Sequence, residues 1–335
     1  MSNVTKRPLF GFEPFGGLRV TDRFKVRDCV QALEELGADS LWTPGQIIRG
    51  TAVPEALTSL ARMAALSTKA RVGTNILPLP LYHPVVLAKQ IAELDLLADG
   101  RVTLGIGVGG EYPDEYAACQ VPLKQRGARA NEAIELMRRL WAGGEVSHDG
   151  PNWHIPRAEI EPGPAQVGGP PIVVAGQSKP ALRRAARLGD GWMPYFLTPE
   201  LYAEKRAEIL ELAEAQGRDM TGFEWMYMIM LTIGDDDADT RRRVTATLAR
   251  HRAAGDAADR ELDYYLKPTE KFVDRYCAVG TPDTVVGRVQ RYVDAGVEHV
   301  VVVYVPVPGG GDDIEAAERV LREVAPALEA AGSTV

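Results

Sequence analysis

The chain has 335 residues, with 38 lysines and arginines against 46 aspartates and glutamates, a formal charge of −8, 45% apolar and 25% charged residues. These are values of an ordinary globular protein, and they exclude a disordered tail, a collagen-like repeat and a disulfide-stapled miniprotein. The acidic balance argues against general affinity for nucleic acid or an anionic membrane, and the length suffices for one α/β barrel of roughly 250 residues with insertions or for two smaller domains.

In chain order, apolar runs of strand length alternate with helical periodicities. Pro8–Phe12 reads as a strand. Phe24, Val26, Val30, Leu33 and Leu36 then recur near period 3.6, with Gly37 as a stop. The strand Ser40–Trp42, a helix over Glu55–Leu66 and the strand Ala70–Thr74 follow. Pro84 opens a helix carrying Leu87, Ile91, Leu94 and Leu97, and Asp99-Gly100 turns into the strand Val102–Ile106. After the amphipathic helix Arg126–Trp141, a Gly/Pro-rich stretch from Gly143 to Pro171 is long enough to be an insertion. The alternation resumes with Ile172–Val174, a helix over Ala181–Leu188, Gly191–Met193, a helix over Pro199–Gln216 and the strand Phe223–Ile233. A polar, irregular helical segment to Leu266 forms a second insertion, near 235–268. A helix capped at Thr281-Pro282-Asp283, the apolar strand Val300–Val305 and a last helix over Asp312–Ala331 complete the chain. Eight strands, each followed by helical sequence, predict one (β/α)8 TIM barrel spanning residues 1–335, with no domain boundary.

Cys29, Cys119 and Cys277 are odd in number and far apart, and the five histidines (His83, His148, His154, His251, His299) show no paired-ligand spacing. Neither a disulfide framework nor a built-in metal site is expected. The first ten residues lack the apolar stretch of a signal peptide, and the run Val300–Val305 is too short to span a bilayer, so a cytoplasmic location is expected.

In a barrel, function lies at the C-terminal strand ends. Gly105-Ile106-Gly107-Val108-Gly109-Gly110 meets the G-x-G-x-x-G pattern of dinucleotide folds. Glu111-Tyr112-Pro113 follows, however, and no clean helix opens on the last glycine to cradle a pyrophosphate. The rival readings are close approach of a planar ligand to the backbone, or a plain turn. Thr74-Asn75-Ile76 is either an ordinary strand end or a polar pair facing a ligand. Ala175-Gly176-Gln177-Ser178 leads into a helix whose free amides, with the Ser178 hydroxyl, form an anion seat unless Ser178 only caps its helix. His83 reads as a solvated or capping residue, and Arg241-Arg242-Arg243, matched by Asp235, Asp236, Asp237 and Asp239, reads as a solvated face.

Three stretches carry a resemblance. They are VGTNILPLPLYHPVVLAKQIAELDLLADGRVTLGIGVGGEYPDEYAACQVPLKQRGARANEAIELMRRLW (Val72–Trp141), PPIVVAGQSKPALRRAARLGDGW (Pro170–Trp192) and the weaker GTPDTVVGRVQRYVDAGVEH (Gly280–His299). In order and spacing they resemble the bacterial-luciferase-like family of flavin- and deazaflavin-dependent oxidoreductases, most closely its actinobacterial subgroup dependent on coenzyme F-420. The resemblance implies a cofactor ring across the C-terminal mouth of the barrel and a non-prolyl cis peptide at Asn75-Ile76 pressing on the central ring. It also implies a phosphate seat at Ala175, Gly176, Gln177 and Ser178, and a ring or ribityl lining from Thr74, Gly109, Gly110 and Glu111. Arg126 would help neutralise the phosphate, and Trp42 would stack on the ring or fill the barrel rim. The implied partner is a small-molecule substrate; relatives often form homodimers, and the sequence leaves the oligomeric state open.

One departure stands out. Many relatives carry an Asp-His or Glu-His pair after the second strand, where this chain has Trp42-Thr43-Pro44-Gly45-Gln46. With that histidine missing, Glu111 is the remaining acid–base candidate, and Asn75, at the bulge, is the second candidate catalytic residue. Two chemistries fit the implied barrel: hydride transfer with F-420, which is favoured on subgroup resemblance, or oxygen insertion by an FMN peroxide. A nicotinamide dehydrogenase would need an acidic residue at a strand end about 20 positions beyond the glycines. The chain has the helical sequence ANEAIE there, which speaks against it. A non-catalytic flavin-binding barrel is the remaining alternative.

Overall fold

The computed structural model describes residues 7–14, 23–48, 53–253 and 269–328. Residues 254–268 of the second expected insertion and the end of the last expected helix, 329–331, lie outside the described residues. In chain order the elements are β1 (Leu9–Phe12), α1 (Arg23–Glu35), β2 (Ser40–Thr43), α2 (Ala56–Leu66), β3 (Arg71–Thr74), β4 (Leu77–Pro78), α3 (Pro84–Leu97), β5 (Val102–Gly107), α4 (Pro113–Ala118) and α5 (Arg126–Trp141). Then come β6 (Val146–Asp149), β7 (His154–Ala158), β8 (Ile172–Val174), α6 (Lys179–Leu188), β9 (Gly191–Trp192), α7 (Pro199–Glu214) and β10 (Glu224–Ile233). The chain continues through α8 (Asp237–Ala253), α9 (Glu270–Tyr276), β11 (Ala278–Gly280), α10 (Pro282–Asp294), β12 (His299–Tyr304) and α11 (Asp313–Arg319).

Eight strands close on themselves in the order β1-β2-β3-β5-β8-β9-β10-β12, all parallel, with β12 returning to β1 through Leu9↔His299 and Phe10↔Val300. This is the (β/α)8 barrel, built from the eight strands that the apolar runs predict. The sequence explains the closure. Parallel strands covered on both faces must be apolar throughout, and β5 is buried at all six positions. The helices start where proline or a cap dictates: Pro84 sits in the first turn of α3, and Asp312 and Glu315 form a reciprocal capping box at α11.

Three features escape the sequence patterns. The short strands β4 and β11 extend the sheet beside β5 and β10. The excursion Gly143–Pro171 carries an antiparallel hairpin, β6–β7. It is clamped by the buried Glu132 carboxylate, which accepts from Asn152 Nδ2 (2.6 Å), Asn152 N (3.2 Å), Trp153 N (3.2 Å) and His148 Nε2 (2.8 Å). Of the two readings of His83 the structure bears out the solvated one: it precedes α3, exposed and without a side-chain capping bond.

Inside the cylinder lie Trp42, Val173, Met193, Met226 and Val301, with Ile76 and Met228 packed on them. Trp42 corrects the expectation of a rim platform. It has no exposed surface, its indole N–H donates to Ser40 Oγ (2.7 Å), and it lies against Gly11 and Gly73. A Cβ at Gly73 would stand 2.5 Å from the indole ring. Trp42 therefore fills the barrel, and a ligand at the mouth cannot touch it in this conformation.

Candidate active site

The C-terminal strand ends bring together most of the residues singled out in sequence. At the end of β3 the Asn75–Ile76 peptide is cis, and Ile76 packs beneath β5, where a Cβ on Gly107 would lie 2.5 Å from Ile76 Cδ1. Asn75 is 7% exposed; its Nδ2 donates to Glu13 Oε1 and approaches Met228 Sδ (3.4 Å). Its Oδ1 is buried with no partner among the described residues. An unpaired buried acceptor costs free energy unless a donor is supplied from outside the chain.

Thr74 is a second correction. It is fully buried, and its hydroxyl donates to Gly105 O (2.7 Å), tying the end of β3 to β5. Its side chain has no surface left for a ring or a ribityl chain.

The loop after β5 turns on Gly109 (φ +56°) and Gly110 (φ +103°), conformations that favour glycine. Val108 O is held by the Tyr116 hydroxyl, whose phenol burial pushes well above the ordinary range. Gly110 lies against Arg126, with a Cβ position 3.1 Å from Nε, and Arg126 Nη1 donates to Leu123 O (3.0 Å). Glu111 is half-buried and accepts a hydrogen bond from the Tyr195 hydroxyl. Beyond it, Glu115 is buried and accepts from Ile47 N (3.1 Å). Burial raises its carboxyl, and the neighbouring Glu111 charge adds to the rise.

The turn from β8 to α6 has the geometry of an anion seat, with one correction. The Ala175 amide donates to Ile106 O (2.8 Å), extending the β5–β8 ladder, so it is not available to a ligand. Open amides begin at Gly176 (φ +100°), and those of Gly176, Gln177 and Ser178 donate to no acceptor among the described residues. Gly176 O accepts from the Trp192 indole (2.8 Å), which fixes the turn. Ser178 is the exposed N-cap of α6 and makes no side-chain capping bond. The adjoining α5 start is tied to α6 by Arg184, which donates to Gly127 O (3.1 Å) and Asn131 Oδ1 (2.6 Å).

The C-terminal strand ends thus bring together the open amides of Gly176–Ser178, carboxylates, an unsatisfied amide oxygen and apolar side chains. Such a site can bind an anionic, planar ligand by its tail and exchange a proton beside the ring. Sequence reasoning missed Glu13 and Tyr195, although each lies one to three positions past a strand end, where barrel function concentrates. Among the described residues no group of three or more potential metal ligands occurs, and no helix is long and apolar enough to cross a membrane.

Residues 18–299 match the family model described as luciferase-like monooxygenase. The chain is similar to the F420-dependent glucose-6-phosphate dehydrogenase of Nocardia farcinica, 31% identical, with 84% of this chain and 86% of the relative covered. That of Kineococcus radiotolerans is 30% identical, with 83% and 86% covered. Among solved structures, an F420-dependent secondary alcohol dehydrogenase in complex with an F420-acetone adduct superposes with a TM-score of 0.81 at 18% identity, covering 97% of this chain and 100% of that one. Monooxygenase RslO1 from Streptomyces bottropensis gives 0.77 at 24% identity, with 96% and 98% covered. At these identities the structural likeness speaks for the fold.

Proposed function

The chain belongs to the luciferase-like monooxygenase family, and from that footing we propose that it is an oxidoreductase using the deazaflavin coenzyme F-420 for hydride transfer to or from a small organic substrate. The observation that carries the choice of cofactor is the similarity to F420-dependent dehydrogenases over more than four fifths of both chains. The residues present fit such a group. The Gly176–Ser178 amides and the free Ser178 hydroxyl suit a phosphate. The glycine-lined β5 loop suits close approach of a ring, and the orphaned Asn75 Oδ1 awaits a donor.

When bound, the cofactor supplies the carbon that gives or takes hydride. The chain's own part is orientation and proton handling. Gly176, Gln177 and Ser178 hold the tail, with Arg126 beside the Gly110 loop adding positive charge. Ile76 and Met228, partly buried above the inner cluster, would keep water from a bound ring, and Asn75 would fix a polar group of the cofactor or substrate. Glu111 receives the hydroxyl proton of an alcohol substrate, or returns it to the oxygen in the opposite direction.

Titration of the protein with F-420 and with FMN, followed by fluorescence, tests this reading. F-420 is expected to bind at least tenfold more tightly. Tighter binding of FMN, with oxygen-dependent turnover of its reduced form, overturns the reading in favour of a monooxygenase. Absence of turnover with either reduced cofactor makes the chain a flavin-binding barrel.

A further inference from the structure

Glu111 and Tyr195 reach the mouth from loops after β5 and β9, strands that flank β8 in the barrel. They are 84 residues apart in sequence, and the pairing of β5 and β9 on either side of β8 brings them together. The Tyr195 hydroxyl donates to Glu111 Oε1, and both residues are half-buried. The phenol is firmly carried. Its ring stands edge-on to Phe196 (4.6 Å between centroids), which packs in turn on Phe272 (5.1 Å) and Tyr276 (5.9 Å).

The neighbouring carboxylates are engaged otherwise. Glu115 is turned to the Ile47 amide, and Glu13 meets Asn75 Nδ2. Glu111 is held through one of its oxygens by an aromatic hydroxyl from a different βα unit. A glutamate has three side-chain torsions to restrict before it can act at one place, and a hydrogen bond from a rigid aromatic restricts them in advance.

We propose that Tyr195 is a positioning residue for the reaction: its hydroxyl holds Glu111 Oε1 so that Oε2 faces the substrate oxygen. The proposal rests on the role given to Glu111 above. It assigns to the β9 loop a function that no spacing in the sequence signals, and it makes the Glu111–Tyr195 pair the counterpart of the missing histidine.

Tyr195→Phe removes the hydroxyl and keeps the ring on Phe196. The expected result is a kcat at least tenfold lower, with the F-420 dissociation constant and the substrate KM within twofold of wild type. Adding Tyr195→Phe to Glu111→Gln should lower kcat no further, because the two act as one unit. Glu111→Asp, which keeps the charge and shortens the reach, should fall as far as Tyr195→Phe. Independently of turnover, the carboxyl carbon-13 resonance that Glu111→Gln abolishes should move in Tyr195→Phe. Wild-type kcat in Tyr195→Phe, losses that multiply in the double variant, or an unmoved resonance each overturn the proposal. Failure of the wild-type protein to turn over F-420 is a different result: it removes the functional reading itself, and the positioning role with it.

Discussion

Ser178 occupies an N-cap without acting as one. An N-cap serine ordinarily accepts from the second or third amide of the helix. Here the second position is Pro180, which has no N–H, and the hydroxyl makes no bond to Ala181. Ser178→Asp therefore separates folding from binding by sign. A carboxylate at the cap suits the helix dipole and adds about 0.5–1 kcal/mol or leaves stability unchanged, while it repels a bound phosphate. Thermal unfolding should show an unchanged or higher Tm, and titration should show at least a tenfold weaker F-420 complex. Equal affinity in the variant removes the seat. At this scale the sequence is an uneven guide. Gly109, Gly110 and Gly176 are legible because positive φ leaves few other choices. The burial of Thr74 and the use of the Ala175 amide are not, since both depend on what the neighbouring strand presents. Glu13 and Tyr195 carry no motif, and their meaning comes from partners on other strands.

Among the elements, α6 has the most unusual composition. Its ten residues, KPALRRAARL, hold four cations and no acid in a chain of net charge −8. Arg184 is 6% exposed, and its guanidinium bonds only neutral oxygens, Gly127 O and Asn131 Oδ1. Burial lowers its pKa to about 10, with the nearby Arg187 charge acting the same way. The residue thus locks the start of α5 to α6, and so the Arg126 side of the mouth to the anion seat. Arg184→Ala strands two acceptors and opens a void, and should cost about 2 kcal/mol in thermal or denaturant unfolding. Arg184→Lys should recover only part of this loss, because one ammonium cannot reproduce the guanidinium fork. An Arg184→Ala protein as stable as wild type would remove the lock. Element placement also shows what periodicity can and cannot deliver. The eight barrel strands are buried and apolar enough to stand out, whereas β6 (VSHD) and β7 (HIPRA) are half-exposed and polar, inside a Gly/Pro-rich stretch that reads as loop. The β6–β7 hairpin is held instead by Val146, Trp153 and Ile155 in the core and by the Glu132 carboxylate of the preceding helix.

At the scale of the whole molecule the two ends of the barrel divide the work, the C-terminal rim presenting the site and the N-terminal floor closing the cylinder. The floor is built from the first residues of four strands: Ser40, Arg71, Glu224 and His299. Arg71 grips Glu224 bidentately (2.7 and 2.8 Å) and also donates to His299 Nδ1 (3.0 Å). Since arginine only donates, Nδ1 must accept, and Nε2 carries the proton that it donates to Ser40 Oγ (2.7 Å). Burial lowers the His299 pKa from its ordinary 6.5, so the fold holds a neutral ring. Burial opposes the Glu224 charge, but the bidentate Arg71 guanidinium outweighs it and brings its pKa down to about 2 from an ordinary 4.5. Both shifts act in one direction. Below pH 6.5 the unfolded chain takes up a proton at His299 that the fold refuses, and between 4.5 and about 2 it takes up another at Glu224. Stability must therefore fall on acidification, first through His299 and then through Glu224. Glu224→Gln should cost about 2 kcal/mol at pH 7, because Arg71 keeps its charge and loses its counter-ion. The gap to wild type should hold down to pH 4.5 and narrow below it, as the wild type surrenders the advantage that the variant never had. Unfolding curves measured from pH 7 to pH 3 that stay parallel for the two proteins would show that the floor is not held by this ion pair.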